Sequence, residues 1–164
     1  MSRHRVLVTT LLLVLSQADS AVADATAFIG VHTNPSRQAM RGLALGVSLL
    51  IVGFEGEYAQ AGEDDSEGTP SIWTASGNVF VQTPFPIVGM QFYATTGAGV
   101  YRERVAAIDR QETNLVFNTG GGAKISLIGP LRARLDYRVM KLRGETLRES
   151  STLHRVYAGI NLAF

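Results

Sequence analysis

A chain of 164 residues is enough for one domain and short for two. It has no cysteine, which excludes a disulfide framework and a thiolate metal site and leaves the redox compartment open. Charged residues are 18% of the chain, below the roughly 25% of typical soluble domains, and glycine, at 17 residues, is abundant.

The N-terminus predicts a secretory signal over residues 1–23. Arg3, His4 and Arg5 form a basic start, and Val6 to Leu15 is an apolar run interrupted only by Thr9 and Thr10. Ala21-Val22-Ala23 then offers an A-x-A cleavage site, so the mature chain is expected to begin near Asp24. The apolar run is about half the roughly 20 residues that a spanning helix needs. No cysteine follows it to carry a lipid anchor. Two of the 15 basic residues and one of the 14 acidic residues lie in this leader, leaving 13 of each. A near-neutral chain has no overall basic field for nucleic acid.

Residues 24–164 show no 3.6-residue pattern. What repeats is alternation at period 2, in segments of roughly ten residues separated by turn chemistry, the signature of transmembrane barrel strands. The first segment is Thr26–Thr33, where Phe28 and Ile29 compete for the apolar face. In Arg41–Leu49, Leu43, Leu45, Val47 and Leu49 alternate with Gly42, Ala44, Gly46 and Ser48. In Ile51–Gln60, Val52, Phe54 and Tyr58 oppose Gly53, Glu55, Glu57 and Ala59. Ile72–Thr83 sets Ala75, Gly77, Val79 and Val81 against Thr74, Ser76, Asn78 and Gln82. Met90–Arg104 carries Phe92, Ala94, Ala98 and Val100 on one face. Asn114–Leu127 sets Leu115, Phe117, Ala123, Ile125 and Leu127 against Asn118, Gly120, Gly122, Lys124 and Ser126. Leu131–Lys141 places Leu135, Tyr137 and Val139 opposite Arg132, Arg134, Asp136 and Arg138. The last segment, Leu153–Phe164, sets Val156, Ala158, Ile160, Leu162 and Phe164 against Arg155, Tyr157, Gly159 and Asn161.

The connections alternate long and short. His32–Met40, Ala61–Ser71, Val105–Thr113 and Leu142–Thr152 are long, whereas the turn at Leu49–Ile51, Pro84–Gly89 and Ile128-Gly129-Pro130 are short. Outer-membrane barrels have long external loops and short periplasmic turns, and with eight strands the phase here is the correct one. The turn near Leu50 lacks the usual Gly, Asn or Asp. The expected fold is therefore all-β: a single eight-stranded, antiparallel, up-and-down transmembrane β-barrel over residues 24–164, following a signal peptide and located in the cell outer membrane.

Alternation alone does not say which face meets lipid. An eight-stranded interior is just wide enough to be filled by side chains. Small residues and a few long charged ones suit such a lumen, while Leu, Val, Ile and Phe suit lipid. Glu55, Glu57, Lys124, Arg132, Arg134, Asp136, Arg138 and Arg155 are expected to form a luminal charge network. Tyr58 and Trp73 at one rim, with Phe92 and Phe164 at the other, fit interfacial aromatic girdles.

The C-terminus, Tyr157-Ala158-Gly159-Ile160-Asn161-Leu162-Ala163-Phe164, resembles the terminal strand of bacterial outer-membrane barrels, with a final aromatic preceded by alternating apolar residues. That resemblance implies that Val156, Ala158, Ile160, Leu162 and Phe164 form a signal read by the barrel-assembly machinery. Over residues 24–164 the chain resembles small barrels of the OmpA/OmpX type. No peptidoglycan-binding domain follows, so no cell-wall tether is expected. The partners implied are outer-membrane lipids and lipopolysaccharide, with the external ligand unspecified.

Two enzyme classes use similarly small barrels, lipid A deacylases and lipid A palmitoyltransferases, each with a histidine and a serine. His154 lies close to Ser150 and Ser151, but the deacylase pattern needs a serine two residues after the histidine, where Val156 stands. His32 near Ser36 is no more specific. The acidic run Glu63, Asp64, Asp65 and Glu67 reads as a solvated loop tip rather than a metal site, and Gly120-Gly121-Gly122 reads as barrel curvature or close packing rather than a phosphate loop. No catalysis, cofactor, metal or nucleic-acid binding is expected. The favoured role is structural or surface-interacting. The alternatives are a narrow pore for small solutes, a lipid A-modifying enzyme and a soluble periplasmic lipocalin-like carrier, the last requiring Leu43, Leu45 and Val47 to point inward.

Overall fold

Each alternating segment becomes a strand because its apolar and polar residues separate onto opposite faces of a pleated backbone. A computed structural model describes residues 21–34, 37–63, 69–105, 110–144, 146 and 150–164. The strands are β1 (Ala21–His32), β2 (Gln38–Leu49), β3 (Val52–Ala61), β4 (Ser71–Gln82), β5 (Met90–Val105), β6 (Arg110–Ile128), β7 (Leu131–Leu142) and β8 (Thr152–Ala163). Each pairs antiparallel with its sequence neighbours, and β1 pairs with β8 to close the barrel. Closure removes the free sheet edges that backbone groups in hydrocarbon cannot leave unpaired.

The strand centres match the sequence pattern, and the largest differences are the earlier starts of β1, β2 and β6. β6 begins at Arg110 rather than Asn114, so its hairpin with β5 stays paired out to Val105 and Arg110 and shortens the expected external loop. Residues 1–20 of the expected leader lie outside the described residues. Ala21, Val22 and Ala23, the expected cleavage site, pair with Leu49, Ser48 and Val47. Ala23 also exchanges two backbone hydrogen bonds with Phe164, at 2.9 and 2.8 Å. Of the acidic run, Asp64, Asp65 and Glu67 lie outside the described residues.

Two turns at the short-loop end carry left-handed backbone on side-chain-bearing residues: Leu50 at φ 51° and Val88 at φ 52°. That conformation brings Cβ against the following carbonyl, and a β-branched residue tolerates it least. Asn accepts it more readily. Val88→Asn, at a position 92% exposed, is therefore expected to stabilise the barrel by about 0.5–1 kcal/mol. A urea midpoint that stays put or falls would remove backbone strain as the explanation.

The faces sort decisively. Leu43 is 62% exposed, Leu45 67% and Val47 44%, all pointing away from the lumen. A soluble carrier would turn them inward, so that reading is overturned. Ile29 takes the outer face and Phe28 the lumen, which resolves the competition in β1. At ~3.3 Å per residue and a tilt near 40°, the apolar stretch from Leu49 to Arg41 on β2 rises roughly 20 Å. The stretch from Met90 to Arg102 on β5 rises roughly 30 Å on the same basis. These values bracket the roughly 25 Å apolar band of outer-membrane barrels.

The lumen is not polar throughout. Toward the long loops it is filled by Met40, Ile72, Tyr101, Val116, Met140, Leu142 and Leu153, all buried. An apolar layer thus lies across the lumen toward the long-loop end, with the ion-paired cluster below it and Glu103 and Glu112 on luminal positions beyond it.

Candidate functional site

The site with the densest chemistry is the charged middle of the lumen. β7 supplies Arg134, Asp136 and Arg138 from alternate positions, so all three point inward one above another. Strand β3 supplies Glu55 and Glu57 by the same alternation, and β8 supplies Arg155. Arg134 is ion-paired with Glu55 and lies 3.3 Å from Asp136. Arg138 reaches three carboxylates: Nε donates to Asp136 Oδ1 at 3.0 Å, Nη2 donates to Glu55 Oε1 at 2.9 Å, and Nη1 lies 3.2 Å from Glu57 Oε2. Arg155 pairs with the other oxygen of Glu57. Three guanidinium groups and three carboxylates therefore share one network.

Lys124 stands apart from it, paired instead with Asp24 and positioned 5.3 Å from the Phe80 ring centroid. Arg132 is half-buried nearer the short-loop end, with Nη1 3.4 Å from Gln91 Oε1, and joins neither group. Sequence reasoning therefore names six residues that the structure gathers into one cluster and two that lie outside it.

Reasoning from the sequence put Tyr157, Asn78, Asn118 and Asn161 on the polar faces but named none of them, nor Tyr93, as a partner of the charges. Tyr93 donates its hydroxyl to Asp136 and accepts from Arg134 Nε at 2.7 Å. Tyr157 donates to Asp136 Oδ2 at 3.1 Å and stacks on Phe28 with ring centroids 4.1 Å apart. Elsewhere in the lumen Asn118 bonds Asn78 at 2.9 Å, and Asn161 bonds Thr26 at 2.9 Å. The available signal was parity: Tyr157 shares the face of Arg155, and Tyr93 opposes the outward Phe92.

Glycines make the room. A Cβ on Gly120 would overlap the Tyr137 carbonyl oxygen and fall 2.9 Å from Arg138 Cγ, and one on Gly122 would overlap the Leu135 carbonyl oxygen and fall 2.7 Å from the Tyr93 hydroxyl. Gly120 and Gly122 thus let β6 lie close against the β7 backbone and clear space for an arginine and a tyrosine inside a narrow wall. Gly122→Val is expected to displace Tyr93 from Asp136 and to destabilise the barrel by about 1–3 kcal/mol. Comparing urea unfolding with a Gly77→Val control, where an added Cβ meets nothing within 4 Å, tests this. Equal effects at the two positions would deny Gly122 its special role.

Arg138, Arg155, Asn161, Tyr101, Val116 and Leu153 expose none of their surface to water. The arrangement is a charge-matched plug under an apolar cap. Ion pairs buried this deeply balance desolvation against attraction, so their net contribution is small while the loss of one partner is severe.

The two histidines among the described residues lie on opposite sides of the wall. His32 is buried in the lumen, whereas His154 faces outward with Nδ1 2.7 Å from the Tyr137 hydroxyl. The Ser150 hydroxyl bonds the backbone of Thr152 instead, at 3.1 and 3.2 Å.

No family model and no curated protein sequence matches the chain. Solved structures do. The N-terminal β-barrel domain of Pseudomonas aeruginosa OprF aligns with a TM-score of 0.68 at 16% identity, covering 87% of this chain and 97% of that one. Neisserial surface protein A aligns at 0.65 and 12% identity, covering 88% and 97%. The outer membrane enzyme PagL aligns at 0.51 and 11% identity, covering 85% and 98%, so this architecture also carries catalysis in one similar structure. The chain accordingly has the closed eight-stranded, OmpA-like fold of bacterial outer-membrane barrels, with the apolar exterior and charged interior that a lipid surround demands.

Proposed function

We propose that this chain is a non-enzymatic outer-membrane barrel whose sealed core serves as a rigid scaffold for loops at the cell surface. The observation that carries this reading is the plug, in which Arg138 and Arg155 are fully buried among matched carboxylates beneath Tyr101, Val116 and Leu153. A barrel filled in this way transmits little solute and holds its loop ends in fixed positions. The connections around residues 61–71, 105–113 and 142–152 then face outside and make the surface contacts. Residues 1–23 act as the cleaved leader, and Val156, Ala158, Ile160, Leu162 and Phe164 are the residues that the assembly machinery reads.

A narrow pore is the second reading, since the lumen is lined with charge. Planar-bilayer recording separates the two. The folded barrel is expected to leave the baseline conductance unchanged, whereas discrete openings that change in Arg138→Gln would replace the scaffold reading with a pore. An enzyme needs a general base beside a nucleophile. His154 is bonded to Tyr137, and Val156 stands where a deacylase has serine, which supports no catalytic role.

A further inference from the structure

The outer face of the barrel divides its charges by sign. Every carboxylate on the described strands (Asp24, Glu55, Glu57, Glu103, Glu112 and Asp136) lies on a luminal position of the alternation. The charged residues on outward strand positions are Arg41, Arg102, Arg104 and Lys141, all exposed and all near the long-loop end. Cations restricted to one rim of an apolar band are placed where lipid headgroups begin.

Two of these arginines share a register row. Arg41 pairs with Gln60, Gln60 with Trp73, Trp73 with Arg102, and Arg102 with Thr113, so the row crosses β2 to β6. Arg102 lies over the Trp73 ring at 5.3 Å, and its Nε donates to Thr113 Oγ1 at 3.0 Å. With its oxygen turned toward Arg41, the Gln60 carboxamide accepts from Nε at 3.0 Å and Nη2 at 3.1 Å. Neutral partners thus orient both guanidinium groups, and no carboxylate among the described residues pairs with either. Arg41, Gln60, Trp73 and Arg102 line one groove that also takes in the apolar Ile29 and Val31.

We propose that this row is a binding site for the phosphate groups of an outer-leaflet glycolipid, with acyl chains against the next outward row toward mid-band, Leu43, Tyr58, Ala75 and Val100. Guanidinium matches phosphate in charge and bidentate geometry, and Trp73 provides an amphipathic ring at headgroup level. The site rests on the membrane reading of the barrel and adds to it a specific lipid contact.

The test is native mass spectrometry of the folded barrel in detergent, with diphosphorylated lipid A and its dephosphorylated form as probes. A gel comparing boiled and unboiled samples shows first that the barrel is folded in detergent. Failure at that step sinks the membrane reading itself. With a folded barrel, retention of the diphosphorylated lipid is expected to exceed that of the dephosphorylated form by about tenfold or more. The double variant Arg41→Gln, Arg102→Gln is expected to erase the difference. Arg41→Gln alone leaves the Arg102–Trp73 stack intact, and it is expected to remove part of the difference even where the double variant does not fold. Equal retention of both lipids, or full retention by folded variants, overturns the site. Displacement of the lipid by millimolar inorganic phosphate would assign the arginines to free phosphate and overturn the lipid assignment.

Discussion

Arg138→Met is expected to destabilise the barrel by about 3–5 kcal/mol, the largest effect of any single luminal change. Arg138 contacts Glu55, Glu57 and Asp136, and it exposes none of its surface. Methionine fills much of its volume but leaves carboxylates buried with one cation fewer. Deleting one partner of a buried pair leaves a charge in low dielectric without compensation, which is where the penalty arises. The contrasting experiment replaces both members of an isolated pair. Asp24→Leu with Lys124→Met removes both charges together and is expected to be near neutral. The measurement is urea unfolding in detergent micelles followed by Trp73, the chain's single tryptophan. A loss below about 1 kcal/mol for Arg138→Met would mean that water reaches the cluster and screens it.

Leu45→Arg is expected to cost about 2–4 kcal/mol in lipid vesicles, and Ala39→Arg about 0–1 kcal/mol. Both positions are outward on β2 and exposed, but Leu45 lies mid-band while Ala39 lies beyond the native Arg41 at the rim. In water two exposed substitutions of this kind would differ little. The depth dependence therefore tests whether the apolar belt meets hydrocarbon. Equal unfolding free energies for the two variants would deny it. The same gradient explains why no cation takes an outward mid-band position on the described strands.

Much of this fold was legible in the residues alone. The period-2 pattern located all eight strands to within a few residues, because each strand must present one face to lipid and the other to a filled lumen. The alternation of long loops and short turns was legible as well, because each strand of an up-and-down barrel ends on the opposite side of the wall from where it begins. The run Arg132, Arg134, Asp136 and Arg138 was recognisably luminal, because charges on every second residue cannot face hydrocarbon.

Closure of the barrel decided the rest. Whether Arg134 meets Glu55 depends on the stagger between strands 79 residues apart in sequence, which no local pattern encodes. Asp24 finds Lys124 across the lumen for the same reason. The apolar cap of Met40, Ile72, Val116, Met140, Leu142 and Leu153 was hidden because outward neighbours at that level include Arg41, Trp73, Lys141 and His154, so the contrast of apolar outside against polar inside weakens or reverses there. Phe28 went inward and Ile29 outward because the Tyr157 ring offers Phe28 a stacking partner that only the β1–β8 closure brings near. Local alternation was thus set by the sequence through the physics of a two-faced wall. The identity of each luminal partner was set by the tertiary structure, because stagger and tilt determine which inward side chains share a level.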